Sequence, residues 1–303
     1  MDDILDRLEA YNDLSPETLA RQHSVSELLE RCKDSKAQNA SLVEPVRTLH
    51  HFACTGGTIL SKCIAAQANT VLLSEIDPFS EAPLRKVDFA PYDILKQSQT
   101  SFRPLDHDGV EATFIGGLSA MYENISSRGQ FLVVRDHAHS HFCTMHNFDD
   151  RQSLLEILVN YFDVTSIVSV RHPLDSYLSL KKNNWITFSP GSLEEYCKRY
   201  LQFLSRYDGV PIIVYEEFVL KPEKQAQKIM DLLKLPYSSD WTERLSLMSV
   251  TGDSGRSGDS IGPRERSQVP DEIAEACTQS SSYKALCATL NYSPDIIVSP
   301  YDR

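Results

Sequence analysis

Residues 48–65 read TLHHFACTGGTILSKCIA, and this stretch decides the fold. Its first part, TLHHFAC (48–54), has the apolar character of a buried strand, whereas ILSKCIA after the glycines is typical of a helix. The pair Gly56-Gly57 indicates a sharp turn between them, because glycine adopts backbone angles that other residues avoid. A strand, a tight glycine turn and a helix in this order predict an α/β protein.

The same alternation continues on both sides of this stretch. Continuous apolar strands that alternate with helices are typical of a parallel β-sheet flanked by helices on both faces, which is the fold we predict. The predicted strands are TVLLSEI (70–76), GQFLVVRDH (129–137), VTSIVSVRH (164–172) and PIIVYEEF (211–218). The predicted helices are RQSLLEILVNYF (151–162), LDSYLSLKK (174–182), LEEYCKRYLQFLSRY (193–207) and PEKQAQKIMDLLKL (222–235).

Three regions follow from the pattern of apolar and small residues. Residues 1–45 are predicted to form a polar, helical N-terminal extension, because their apolar stripes are too narrow to form a core of their own. Residues 46–303 are predicted to form one α/β domain. Within it, residues 246–270 are rich in glycine, serine and arginine, which is typical of a functional loop or lid.

The composition of the chain disfavours several classes of partner and location. The 303 residues carry a net charge of −12 and a pI near 5.2, which disfavours nucleic acid as a partner because such binding needs clustered basic residues. The start, MDDILDRLEA, lacks the features of a secretion signal, and no apolar run is long enough to span a membrane. Seven cysteines are scattered without CxxC pairs, which favours a reducing compartment. We therefore expect a cytoplasmic location.

Two segments have the features of phosphate-binding elements. Thr55-Gly56-Gly57-Thr58, with Ile59 directly after it, joins a strand to a helix whose N-terminal amides and dipole favour an anion. Arg171 ends a predicted strand, and Ser179 follows eight residues later on the next helix. A guanidinium and a hydroxyl in these places can bind one phosphate through charge-assisted hydrogen bonds.

A third segment, Arg256-Ser257-Gly258, places an arginine among glycines in the predicted lid, where it can fold over an anion. Taken together and in this order, the three elements resemble the nucleotide site of the sulfotransferases that use PAPS (3'-phosphoadenosine-5'-phosphosulfate). Residues 48–65 are similar to that family's 5'-phosphosulfate loop, often written PKSGTT or RSGTT. Arg171 to Ser179 resembles its 3'-phosphate site, and Arg256-Ser257-Gly258 resembles its late RxG element.

This resemblance covers about residues 46–266 and implies a P-loop-like sulfotransferase architecture, with PAPS as co-substrate, PAP as the desulfated product and no metal. Arg135-Asp136-His137 resembles the family's Lys-x-His element. The resemblance therefore implies that His137 removes the acceptor's proton and that Arg135 stabilises the donor. Glu75, at the end of a neighbouring strand, is the alternative base.

One departure from the family pattern concerns charge. Where the family's loop has a lysine or arginine before Ser-Gly-Thr, this chain has Thr55, so Lys62 or Arg135 would have to supply the missing cation. A second alternative also stays open at this point, because His137, His139, His141 and Cys143 alternate along the chain as metal ligands can.

The predicted function is transfer of a sulfuryl group from PAPS to a hydroxyl or amine of an acceptor, a small molecule or a carbohydrate, that the sequence does not identify. One alternative is an ATP-dependent P-loop kinase or transferase, although the sequence lacks the GxxxxGK[ST] pattern. The other is a non-catalytic relative that binds a nucleotide or a glycan. A homodimer is compatible with the sequence.

Overall fold

The computed structural model describes residues 43–80, 92–145, 151–248, 250 and 261–302. Residues Pro45–Arg303 form one compact unit. The predicted helical extension lies almost wholly outside the described residues, as does the middle of the predicted lid. Both therefore stay predictions.

The core of this unit is a five-stranded sheet in the order β2-β3-β1-β4-β5, in which every neighbouring pair is parallel. This confirms the predicted fold class. The strands are β1 (Val46–His51), β2 (Thr70–Ile76), β3 (Phe131–Asp136), β4 (Val164–Val170) and β5 (Ile212–Val214).

Helices cover both faces of the sheet. They are α1 (Gly57–Ala65), α2 (Ile94–Thr100), α3 (His107–Ser127), α4 (Ala138–Phe142), α5 (Leu154–Leu158), α6 (Pro173–Lys182), α7 (Leu193–Arg206), α8 (Tyr215–Leu220), α9 (Pro222–Leu233), α10 (Asp271–Gln279) and α11 (Ser281–Thr289). A 3₁₀ helix spans Ser239–Leu247.

Alternation along the strands separates the two faces. On one face, Leu49, Val133 and Ile167 are fully buried against residues of α1 and α9. On the other face, strand residues pack against α3 and α5 near β3, and against α6 and α7 near β4. Because all five strands are parallel, their carboxyl ends lie along one edge of the sheet.

Two elements differ from the predictions. The predicted strand 211–218 ends at Val214, and the chain turns directly into α8. The buried Glu216 side chain accepts hydrogen bonds from the His172 amide and the Tyr292 hydroxyl, so tertiary contacts override the strand preference of this segment. The longest described helix, α3, lies in a stretch to which the sequence pattern assigned no element, and it contains three glycines, which weaken the helical signal.

Candidate active site

The turn between β1 and α1 is held from inside the protein. The Thr55 hydroxyl donates to the Phe52 carbonyl at 2.8 Å, and the Thr55 carbonyl accepts a hydrogen bond from the Ser169 hydroxyl of β4 at 2.7 Å. Thr55 is fully buried. Its side chain therefore stabilises the turn. The contribution of Thr55 to ligand binding that the sequence predicts would come from the backbone of the turn.

Glycine is required at two positions of this turn because of close packing. Gly56 precedes α1 in the left-handed conformation, with φ of 92°, and a Cβ atom there would lie 2.4 Å from the Tyr215 ring. A Cβ atom at Gly57, the first residue of α1, would lie 2.4 Å from the His51 ring. The rings of two residues thus line the turn, and any side chain at either glycine would displace them.

The start of α1 presents backbone amides rather than side chains. No side chain caps this nine-residue helix, and its first turn contains no acidic residue. The first amides of any α-helix lack intrahelical acceptors and carry the positive end of the helix dipole. Ile59 packs its side chain against the core, so its predicted role in ligand binding would also be a backbone one. Lys62 lies in the last turn of α1, away from the helix start.

Arg135 lies near the end of β3, next to β1, and is almost fully buried with 2% exposure. Its Nε donates to Nε2 of His51 at 2.8 Å, and its Nη1 donates to the Ser74 hydroxyl at 3.1 Å. Its Nη2 lies 3.3 Å from a carboxylate oxygen of Glu75. Since the His51 ring contacts Gly57, this arrangement holds the Arg135 guanidinium beside the start of α1.

Glu75 reaches Arg135 because strand β2 is irregular at its end. The register between β2 and β3 shifts between Leu73 and Ile76, and Glu75 takes a positive φ of 61°. Such a bulge redirects a side chain that would otherwise follow the regular alternation of the strand. The structure therefore brings Glu75 and Arg135 together, as two of the three residues predicted for the chemistry.

His137 directly follows β3 and precedes α4. Its amide donates to the Ile76 carbonyl at 3.1 Å, and its own carbonyl accepts from the Ser140 hydroxyl and amide, so its backbone is fixed. Among described residues, no hydrogen-bond partner of its imidazole is found. Burial lowers the pKa of His137, while the Glu75 and Asp136 carboxylates oppose this effect. A neutral imidazole next to Arg135 and Glu75 can accept a proton.

The alternating histidines face different partners. Nε2 of His139 lies 3.1 Å from the Trp185 carbonyl, and burial lowers the pKa of His139 to about 4. The His141 ring is buried and stacks on Phe142, while burial raises the pKa of the Cys143 thiol. Within the described residues, no three His, Cys, Asp or Glu side chains form a group that could hold a metal ion.

Arg171 follows β4 at the same edge of the sheet. Its Nη1 donates to the Cys54 carbonyl at 3.4 Å, and its guanidinium lies 4.8 Å from the centre of the Tyr215 ring. Its amide donates to the Tyr200 hydroxyl at 3.2 Å. These contacts place a half-buried guanidinium beside the turn that precedes α1.

Ser179 lies half-buried in α6, the helix that follows Arg171. Among the described residues, no hydrogen bond joins the Ser179 and Arg171 side chains. The structure thus brings Arg171 into direct contact with the turn. Arg256, Ser257 and Gly258 lie outside the described residues, so their predicted role stays untested by the geometry.

The segment that follows them is anchored near Arg171. The Tyr301 hydroxyl accepts from the Arg264 amide at 2.7 Å and donates to the Arg264 carbonyl at 3.1 Å. Arg266 forms an ion pair with Asp175 of α6 at 3.0 Å and donates to the carbonyls of Ile296 and Val298. The carboxyl-terminal end of the predicted lid is therefore tied to α6 and to the end of the chain.

Sequence reasoning missed His51, Ser74 and Tyr215 as residues of this region. Their only local signal is position, because each lies at or next to the carboxyl end of a strand. In parallel sheets this is the edge where ligands bind.

Among the described residues, no helix has the length and apolar character needed to cross a membrane.

No protein-family model and no curated protein matches the chain. Several solved structures do match the chain. A sulfotransferase domain from the curacin biosynthetic pathway has 14% identity and a TM-score of 0.49, over 83% of this chain and 99% of that one. A sulfotransferase domain from the Synechococcus PCC 7002 olefin synthase has 16% identity and a TM-score of 0.46, over 84% and 97% of the two chains.

Mouse sulfotransferase SULT7A1, complexed with PAP, has 11% identity and a TM-score of 0.37, over 85% of this chain and 92% of that one. These three solved structures are sulfotransferases. The function is argued below from the side chains of this chain.

Proposed function

We propose that this chain is an enzyme that transfers a sulfuryl group from PAPS to a hydroxyl or amine of a small molecule or carbohydrate. One observation carries the proposal. The start of α1, the Arg135 guanidinium, the His137 imidazole and the Arg171 guanidinium all lie at the carboxyl edge of β1, β3 and β4. One edge of the sheet thus holds a helix start that can bind an anion, a side chain that can accept a proton, and two cationic side chains.

The 5'-phosphosulfate of PAPS would bind at the start of α1. Amides at a helix start and a neighbouring guanidinium are suited to a group that carries several negative charges. The overall charge of the chain is −12, so attraction of such an anion depends on these local groups. Gly56 and Gly57 leave room for the Tyr215 and His51 rings, which line the turn where the donor would bind.

The 3'-phosphate would bind Arg171, with Ser179 and Arg256-Ser257-Gly258 as the other predicted contacts. Support for Arg171 comes from its contacts, since among the described residues its guanidinium has one hydrogen bond, at 3.4 Å, and one ring contact. No ion pair within 4 Å joins its side chain to a described carboxylate, so the guanidinium can turn toward a ligand.

In the transfer, His137 would take the proton of the acceptor hydroxyl or amine as the acceptor atom attacks sulfur. A new bond forms between that atom and sulfur, and the bond between sulfur and the bridging phosphate oxygen breaks. The departing PAP carries the electron pair on that oxygen. Arg135 and the amides of α1 would stabilise the negative charge that develops there.

His137 is preferred to Glu75 as the base because of their different partners. The Glu75 carboxylate is paired with Arg135 at 3.3 Å, whereas no hydrogen-bond partner of the His137 imidazole is found among the described residues. The imidazole of His137 is half-buried and next to the same guanidinium. Burial lowers the pKa of His137 and so favours the neutral imidazole, the form that a general base requires.

The test is calorimetric titration of the full chain with PAP, with ATP and Mg²⁺ as the control. We expect PAP to bind with a dissociation constant in the micromolar range and ATP to bind far more weakly. Binding of ATP–Mg²⁺ without PAP would overturn the proposal in favour of an ATP-dependent transferase. PAP binding without sulfate transfer to any compound of an acceptor panel would indicate a non-catalytic nucleotide-binding protein.

A further inference from the structure

His51, the last residue of β1, lies between Arg135 and the start of α1. Its Nε2 accepts the hydrogen bond from Nε of Arg135 at 2.8 Å, and its Nδ1 lies 3.1 Å from the Phe52 carbonyl oxygen. The Cγ, Cδ2 and Nε2 atoms of the ring face Gly57, where a Cβ atom would be 2.4 Å from Cδ2 and 2.5 Å from Nε2 of His51. The imidazole therefore lies between the guanidinium and the helix and contacts both.

These partners determine the protonation of the ring. A carbonyl oxygen can only accept, so Nδ1 of His51 must carry the proton. An arginine Nε can only donate, so Nε2 must keep its lone pair. Only the neutral form protonated on Nδ1 makes both hydrogen bonds.

The surroundings favour this neutral form as well. Burial and the Arg135 guanidinium hold the pKa of His51 well below its ordinary value, and His137 acts in the same direction. The Phe52 carbonyl and the Asp136 carboxylate oppose the shift without reversing it. His51 therefore cannot act as a cation toward an anionic donor, and its Nε2 lone pair already accepts the hydrogen bond from Arg135.

The guanidinium of Arg135 is held from three sides. His51 binds Nε, Ser74 binds Nη1 and Glu75 pairs with Nη2. Of these three partners, His51 alone also contacts the first residue of α1. The loop itself, FACTGGT (52–58), contains no lysine or arginine, so a cation beside the helix start has to come from outside the loop.

We propose that His51 is a positioning residue, whose neutral imidazole aligns Arg135 with the start of α1. This inference rests on the proposed function, because it assigns to Arg135 the charge that the loop lacks. It also explains why residue 57 is glycine, since the imidazole occupies the space that any side chain there would need.

The first test compares two replacements of His51. In His51→Gln, the amide oxygen can still accept a hydrogen bond from Arg135. In His51→Met, the side chain keeps a similar volume but offers no strong acceptor. We expect His51→Met to lower the kcat for sulfuryl transfer from PAPS by about 10- to 100-fold, as misplacement of a catalytic group does. The Kd for PAP should change less than about threefold, and His51→Gln should recover most of kcat.

Equal losses in the Gln and Met variants, or a kcat within twofold of the unsubstituted chain in His51→Met, would overturn the inference. Parallel losses in kcat, PAP affinity and melting temperature would do so too, since they would indicate a purely structural role.

A second comparison replaces two glycines of the chain by alanine. Gly57→Ala should displace the His51 ring and reproduce the kcat loss of His51→Met. Gly116→Ala in α3 is the matched control, since nothing lies within 4 Å of its Cβ position. The Gly57→Ala change should add no further loss to His51→Met, because both break the same contact. Additive losses would contradict the shared contact.

A third measurement needs no nucleotide. In the full chain labelled with ¹⁵N-histidine, the His51 ring should remain neutral with the proton on Nδ1 between about pH 5.5 and 8. Arg135→Met should raise its pKa, because the guanidinium lowers it. A proton on Nε2 would overturn the inference. If the ring behaves as expected but PAP does not bind the unsubstituted chain, the proposed function fails while the pair of His51 and Arg135 stands.

Discussion

The ends of β3 and β4 each supply a guanidinium to the site, but they hold it differently. Arg135 after β3 is 2% exposed and has side-chain partners in three directions. Arg171 after β4 is half-buried, with one carbonyl at 3.4 Å and one aromatic ring as its guanidinium contacts in the described residues. A fixed cation suits charge that develops during a reaction, whereas a less constrained cation suits ground-state binding.

From this comparison we expect turnover to depend on the β3 end and nucleotide affinity to depend on the β4 end. The largest effect is expected at His137. His137→Ala should lower sulfuryl transfer by about 10²- to 10⁴-fold, the usual contribution of a general base. The Kd for PAP should change little, because the base acts on the proton of the acceptor and not on the nucleotide. Transfer rates and calorimetry on the same protein check this expectation, and retained turnover would move the role to Glu75.

Arg135→Met should have the next largest effect. We expect a loss of about 10²- to 10³-fold in kcat, as when one preorganised donor is removed from a transition state. Arg128→Ala is the control, because this exposed arginine precedes β3 and lies at the opposite edge of the sheet. A variant that loses PAP affinity as strongly as kcat would break the distinction between the two strand ends.

At the β4 end, Arg171→Met should act on binding. We expect PAP affinity to fall by about 10- to 100-fold, the value of a charge-assisted hydrogen bond or two. Affinity for adenosine 5'-phosphate, which lacks the 3'-phosphate, should change less than about threefold. Calorimetry with both nucleotides measures the contrast, and equal losses would show that Arg171 does not bind the 3'-phosphate.

The smallest expected effect is a shift in pH dependence. A base works in its neutral form, so turnover is present above the pKa of His137 and is lost as the pH falls through it. Because burial lowers this pKa, the loss should occur below about pH 6.5, the ordinary value for histidine. Glu75→Gln removes a carboxylate that raises the pKa and should move the acid limb to lower pH.

Profiles of kcat against pH for both proteins measure this shift. If Glu75→Gln instead abolished turnover at every pH, Glu75 would be the base. A shift of the acid limb to higher pH would contradict the electrostatic effect of Glu75 on His137.

Much of the fold follows from local pattern. Apolar strands of three to seven residues alternate with amphipathic helices, and this alternation alone predicts a covered parallel sheet. The glycine-rich helix α3 and the end of β5 at Val214 were not predictable in this way. The first has a weak helical signal, and the second depends on the contacts of Glu216 with distant parts of the chain.

By itself, the sequence determined which chemical groups stand at the strand ends, among them Gly56, Gly57, Arg135, His137 and Arg171. Only the tertiary structure decided which of these groups touch. The contact between Arg135 and His51 joins residues 84 positions apart and exists because β3 lies next to β1 in the sheet. Strand order is set by packing of the whole core, so no local pattern encodes it.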